Sequence, residues 1–399
     1  VTIRAASLAA LVLLSAPAAA RDAFEGTFTV DGATTTASRR DISDFTDLFT
    51  DAGLSSLFSN YTTASAAIAD VRLRGVPATL SYDAESTTLR LVIPGAGVDE
   101  RFTGATRDES QDLALEWLKG RGGSALTRVL QQAVATTPLD PVAGNPNSLM
   151  ATMGASDFSA ATGIPSGTGG RFGLGARFGS YSAEGYDTQV WTLPLGYSYG
   201  LSGGTTLLLD APLTLMSTAG AQSYSGSLGF GARVPVGLGI DGLRWSLTPM
   251  LRVGGVGSTA LGAVGAMWSA SLTSTLDWQV RSGTILTLGN MISRLQTVPL
   301  SLGGYDISYE LTNHMFRNGL IASQAIGDWF GRPVRASAFV IDTRFTGDAL
   351  YVRSYQEFGG FVTFDINAGG RRLPLSLGVT VLSAERGYRG YSLNLGMTF

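Results

Sequence analysis

From Arg171 to its last residue the chain alternates, apolar then small or polar, with a period of two. Tyr391, Leu393, Leu395, Met397 and Phe399 share one face, and Ser392, Asn394, Gly396 and Thr398 the other. Leu373, Leu375, Leu377, Val379 and Val381 repeat the pattern against Ser376, Gly378 and Thr380. Trp191, Leu193, Leu195, Tyr197 and Tyr199 do so against Thr192, Gly196 and Ser198. This is the period of a β-strand. A water-soluble sandwich also alternates, but its second face carries charge. Here that face is mostly Gly, Ser and Thr with scattered single charges, which suits a barrel that is apolar towards lipid and polar towards its lumen. The residues predict about twelve antiparallel strands, beginning near Phe172, Thr188, Thr205, Tyr224, Leu243, Val264, Thr284, Tyr305, Val334, Leu350, Arg372 and Arg389.

Composition agrees. Charged residues are 15% of the 399, against roughly a quarter in soluble domains, and hydrophobic residues are 44%. The net charge of −3 does not point to a nucleic-acid partner. There is no cysteine, which excludes disulfides, thiol catalysis and cysteine-based metal sites. Residues 1–20 read as a signal peptide, with Arg4, the apolar run Ala5–Leu14 and a small-residue cleavage site at Ala18-Ala19-Ala20. No later apolar run reaches the length of a membrane helix.

Residues 21–140 have a different texture, that of a small α+β soluble domain. A helical pattern covers Asp41–Phe58. A strand pair, Pro77–Tyr82 and Thr87–Ile93, flanks Asp83-Ala84-Glu85. Helices are predicted over Arg107–Lys119 and, capped by Ser124, over Leu126–Ala135. Residues 137–169 are rich in Pro, Gly, Ser and Asn and read as a linker, with a short helix around Leu149, Met150, Met153 and Phe158. The expected division is therefore signal peptide 1–20, α+β domain 21–140, linker or lumen segment 141–169, and barrel 170–399. Trp191, Trp245, Trp268, Trp278, Trp329, Tyr351, Tyr388, Tyr391 and Phe399 are expected in interfacial girdles.

The ending Tyr391–Phe399, alternating and closing on an aromatic, resembles the terminal signature of bacterial outer-membrane barrels. Hairpins such as Thr192–Leu209 resemble theirs as well. A twelve-stranded C-terminal barrel behind a signal peptide and an upstream region resembles an autotransporter translocator domain, and more narrowly the solitary autotransporter-type barrels. The resemblance covers roughly residues 165–399. It implies a place in the outer membrane, contact with its lipid, and recognition of the signature Tyr391, Leu393, Leu395, Met397 and Phe399 by the barrel assembly machinery. Residues 21–140 are short, mixed and unrepeated, unlike a long β-helical passenger.

Enzyme motifs carry little weight. Gly196–Gly200 and Gly200–Gly204 match G-x-S-x-G but lie in a strand and its turn, not at a strand-to-helix elbow. Gly237, Gly239 and Gly242 match a dinucleotide fingerprint without the βαβ context. His314, the sole histidine, has Phe316 where outer-membrane phospholipases and lipid A deacylases have a serine. The alternation from Tyr305 to Leu311 turns His314 towards the lumen. No metal, cofactor or catalytic residue is expected. The lumen face is expected to carry Arg177, Asp210, Arg233, Arg244, Arg252, Asp277, Glu310, His314, Arg353, Glu357 and Asp365. Such charges either set a field across a pore or pair to fill the barrel and grip a plug. The leading expectation is an autotransporter-type barrel whose lumen holds the upstream segment, with Leu126–Ala135 and the linker as the candidates. The alternative is a passive porin-like pore or structural protein with a periplasmic N-terminal domain; an outer-membrane lipid hydrolase is the remote third reading.

Overall fold

In a computed structural model of the chain, the described residues are 21–398, apart from 164–167, 282, 303–304, 330–331 and 369–370. The proposed signal peptide and Phe399 lie outside them.

Six strands build the N-terminal sheet: β1 (Phe24–Val30), β2 (Ala33–Arg39), β3 (Ala67–Leu73), β4 (Val76–Tyr82), β5 (Leu89–Ile93) and β6 (Val98–Phe102). Their order is β2-β1-β3-β4-β5-β6, and every neighbouring pair is antiparallel. Strict burial alternation in β3 and β4 gives the sheet one wet and one dry face. Helices α1 (Ile42–Thr46), α2 (Asp51–Leu57), α3 (Arg107–Glu116) and α4 (Gly123–Thr136) accompany it. Phe24, Phe28, Phe45 and Phe49 cluster at its centre, stacked, tilted and edge-on. The expected continuous helix over 41–58 is two. Thr50 is extended (φ −68, ψ 162) and caps α2 by accepting from the Gly53 N–H, so the chain restarts there. Ser124 is not a cap; Gly122 takes that position, with no side-chain bond.

The remaining strands close a barrel. They are β7 (Gly169–Ala183), β8 (Tyr186–Leu193), β9 (Leu195–Gly200), β10 (Thr206–Asp210), β11 (Leu213–Thr218), β12 (Ala221–Val236), β13 (Leu243–Ser258), β14 (Ala263–Arg281), β15 (Thr284–Val298), β18 (Thr312–Trp329), β19 (Arg332–Gly347), β20 (Ser354–Ala368), β21 (Arg371–Ala384) and β22 (Arg389–Thr398), with a small hairpin, β16 (Leu300–Leu302) and β17 (Tyr305–Ile307), outside the wall. Pro194 divides β8 from β9, and Ala211-Pro212 divides β10 from β11, because proline cannot donate to the ladder. Each divided pair is one staff of the wall, so the barrel has twelve strands. β22 pairs with β7 from Arg389↔Ser182 to Thr398↔Gly173, which leaves no open edge. Strand starts agree with the alternation to within a few residues, except at β18 and β20, which begin seven and four residues later than expected.

Outward residues form an apolar belt that includes Leu251, Val253, Phe230, Leu393 and Leu377. Trp191, Trp278, Tyr224 and Tyr391 are exposed upon it. Tyr351 and Tyr388 correct the girdle expectation: both are buried inward. The Trp329 side chain and Phe399 lie outside the described residues. No described helix is long and apolar enough to cross a membrane. A closed barrel with an apolar outer belt is the form in which strands cross one.

The barrel has two distinguishable ends. Gly169 and the end of β22 share the terminal end, as an even strand count requires. The N-terminal sheet sits on the other, the cap end. There Ile42 N–H donates to Ala260 O and Arg21 N–H to Gly185 O. Tyr186, Ala219, Ala221, Leu261 and Ala263 from the loop tips and strand ends join the sheet's own core.

Candidate functional site: the filled lumen

A fifth helix, α5 (Leu149–Thr162), lies inside the barrel. Its sequence, LMATMGASDFSAAT, combines strong helix formers with small residues, so a narrow cylinder results. Leu149, Met150, Met153, Asp157, Phe158 and Ala161 are each at most 2% exposed. Six of the chain's eight methionines meet at this contact: Met150 and Met153 from the segment, Met216, Met267, Met291 and Met315 from the wall. Unbranched thioethers fill the irregular gap between a helix and a curved sheet. Glycines make the room. A Cβ on Gly289 would come 2.8 Å from Phe158 Cζ, one on Gly319 2.9 Å from the same atom, and one on Gly265 2.6 Å from Val142 Cγ2.

Charge pairs fix the helix in place. Arg252 on β13 donates from Nε to Asp157 Oδ1 at 2.7 Å, from NH1 to Ser227 Oγ, and from NH2 to Asp210 Oδ1. Ser271 donates to the second oxygen of Asp157 at 2.8 Å. The Arg252 and Asp157 side chains are wholly buried. A buried ion costs several kcal/mol unless its partners satisfy it, and only the helix supplies Asp157. Arg317 on β18 pairs with Glu357 on β20 and donates to Thr343 Oγ1, and its guanidinium lies 5.3 Å from the Phe158 ring centre.

Residues 138–148, in the stretch that reads as a linker or lumen segment, are buried at the cap-end mouth. Asp140 Oδ1 accepts from the Val142 and Ala143 N–H groups, and Tyr309 Oη donates to Oδ2 at 3.1 Å. Arg74, from the β3–β4 turn, lies 3.5 Å from the same oxygen. This buried group therefore joins three parts: the N-terminal sheet, the entering segment and a barrel loop. Burial raises the Asp140 carboxyl above the usual carboxylate range and pushes the Tyr309 phenol up as well. Tyr351 N–H to Val134 O, Val352 N–H to Gly144 O and Asn147 Nδ2 to Tyr388 Oη close the mouth around the chain. Helix α4 stands at this mouth, and the lumen belongs to α5.

The structure separates the expected lumen charges into three groups. Arg252, Asp210 and Glu357 meet the plug or its immediate shell. Arg177 is inward and donates to Tyr181 Oη at 2.7 Å. Arg233 and Asp277 pair at 3.2 Å nearer the terminal end, with Ser246 and Thr287 as further partners. Arg244 and Asp365 share the inward parity close to that end. Glu310 and Arg353 are not in the lumen; both are exposed in cap-end loops. His314 is also corrected: Asn313, Met315 and Arg317 are the buried, inward residues of β18, so His314 faces out with Phe316 and Asn318. The inward expectation rested on reading Tyr309 and Leu311 as outward apolar residues; both are buried inward, in phase with Asn313 and Met315. Asp140, Asp157, Arg74 and Arg317 are the residues that the sequence did not single out.

No family model matches the chain, and no curated protein does. Solved structures do. The β-domain of the Bordetella autotransporter BrkA is 17% identical, with 58% of this chain and 98% of that one covered and a TM-score of 0.44. The translocator domain of the autotransporter NalP from Neisseria meningitidis is 16% identical, with 62% and 95% covered and a TM-score of 0.44. The porin NanC is 11% identical, with 57% and 98% covered and a TM-score of 0.35. The strand closure and the apolar belt are evident without them: the chain is a twelve-stranded outer-membrane β-barrel whose lumen is filled by its own upstream segment.

Proposed function

We propose that this is an autotransporter-type barrel that holds residues 21–136 at the cell surface as a docked cap. One observation carries the reading. The upstream sheet sits at the cap end, β7 starts at the terminal end, and α5 fills the lumen between them. Strand connections support the orientation. At the terminal end β18 stops at Trp329 and β19 starts at Arg332, whereas at the cap end β15 stops at Val298 and β18 starts at Thr312. Outer-membrane barrels keep short turns in the periplasm and longer loops outside. The filled lumen weighs against an open pore, and the position of the sheet weighs against a periplasmic domain.

Protease treatment of intact cells tests the reading, with an epitope inserted in the Asp31-Gly32 turn. Loss of the epitope from whole cells is expected. Protection in whole cells with loss only after permeabilisation would reverse the orientation and sink the proposal.

A further inference from the structure

Outward cations gather in one sector of the wall. On β15, β18 and β19 the outward residues towards the cap end include Arg294, His314 and Arg344. Arg294 stands directly opposite His314, and Arg344 lies opposite Phe316, the next outward residue of β18. On β7, β12 and β14 the outward positions at comparable distance from the cap end are Ser180, Tyr224 and Ala266.

The bonding of the three side chains leaves donors in hand. Arg344 gives its Nε to Asp342 at 2.9 Å, and Asp342 is itself tied to Gln356 at 2.8 Å. Arg294 gives one terminal nitrogen to Gln296 at 3.3 Å. Neither guanidinium makes another hydrogen bond among the described residues, and His314 makes none there. Asp342 faces outward beside them, and the exposed Asp348, which accepts from the Thr312 N–H, lies one outward position further towards the cap end. Towards the middle of the barrel come Ile292 and Phe316, then Asn290 and Asn318, which face outward and bond to each other at 2.7 Å, and then the exposed pair Leu288 and Leu320. An amide pair on a lipid-facing wall is costly where only acyl chains meet it.

We propose that Arg294, His314 and Arg344 bind the phosphorylated headgroup of a membrane lipid in the cap-end leaflet. Planar guanidinium forks match phosphate oxygens. Ile292 and Phe316, one outward step deeper, lie along the linker and the start of the acyl chains, and the Asn290–Asn318 pair, deeper still, is partly satisfied by the bond between its two amides. The site depends on the belt, not on which leaflet is external, and so stands apart from the display reading.

The full chain is reconstituted in phosphatidylcholine vesicles with and without phosphatidic acid, and bound lipid is counted by native mass spectrometry. The wild type retains phosphatidic acid. The triple variant Arg294→Gln, His314→Gln, Arg344→Gln binds it about thirtyfold more weakly, at roughly one unit of surface electrostatics per arginine. Arg389→Gln, an outward arginine elsewhere on the wall, retains it. Arg294→Lys with Arg344→Lys keeps most of the binding and guards against a folding defect in the triple variant. Equal retention by the triple variant overturns the site. Competition by inorganic phosphate at equal strength overturns the lipid and leaves an anion site. Cross-linking of the sector to another protein, with no retained lipid, overturns it in favour of a protein interface.

Discussion

Arg252 on the barrel wall and Asp157 on the lumen helix neutralise each other at 2.7 Å, 95 positions apart in the chain and with both side chains fully buried. Neither charge has any access to water, and Arg252 is held between the helix's Asp157 and the wall's Asp210. Arg252→Met leaves Asp157 and Asp210 facing each other with no cation. The expected loss is roughly 3–5 kcal/mol, seen as a lower temperature for the heat-induced gel shift and as new conductance steps in planar bilayers. Adding Asp157→Leu and Asp210→Asn restores most of the stability. A silent Arg252→Met would show that the pair does not hold the helix.

Gly289→Val places a branched side chain where even a single Cβ meets Phe158 at 2.8 Å. Overpacking of this kind costs about 1–3 kcal/mol. The helix should shift or leave while the wall stays folded. Conductance should rise, and Phe158→Ala in the same chain should relieve the strain. Additivity of the two changes in a double-mutant cycle would refute direct contact.

Leu377 and Ser376 are neighbours on β21 and point to opposite faces. Leu377 is exposed on the belt, and Ser376 shares a hydrogen bond with Thr363 inside. Leu377→Arg should cost roughly 2–4 kcal/mol if it lies near the midplane; Ser376→Arg should leave folding into liposomes largely intact. Equal damage from the two would invert the assignment of faces.

At the mouth, Asp140→Ala strips Arg74 of its buried counter-charge. The sheet should loosen from the barrel by roughly 3–5 kcal/mol, making residues 21–136 protease-sensitive while the barrel keeps its heat-modifiable mobility. Arg74→Met with Asp140→Leu should be milder than either single change. Unchanged proteolysis of Asp140→Ala would mean that other contacts dominate the docking.

The barrel was legible because lipid on one side and small residues on the other impose a period that survives every strand. A filled lumen and a short helix around Leu149–Phe158 were legible too, but the wall's side of the contact was not, because it obeys the opposite rule. Met267 and Met315 are apolar residues pointing inward, on the face read as polar, and they make sense only with α5 against them. Residues 138–148 looked like a linker because Pro, Gly and Asn signal turns, and a buried stretch of turns has the same composition as an exposed one. Tyr309 and Leu311 show the limit of parity counting: both are apolar yet buried inward, and reading them as lipid-facing sent His314 to the wrong side. The charge pairs were visible only in part, since Asp157 lies upstream of the alternating region and nothing local marks it.

The seam between β22 and β7 encloses the chain that leads into β7, so the molecule is a lasso: a ring drawn around its own tail. Its lumen is fitted to one helix, about 10–12 Å across with side chains, while six paired strands span about 24 Å. The folded sheet is a knot at the end of the tail, too wide to be pulled back. Either the sheet folds after its chain has passed, or the ring closes around a chain already in place. Once both are made, neither can be undone without breaking the other or opening the seam, and the molecule is locked by its topology as well as by its contacts.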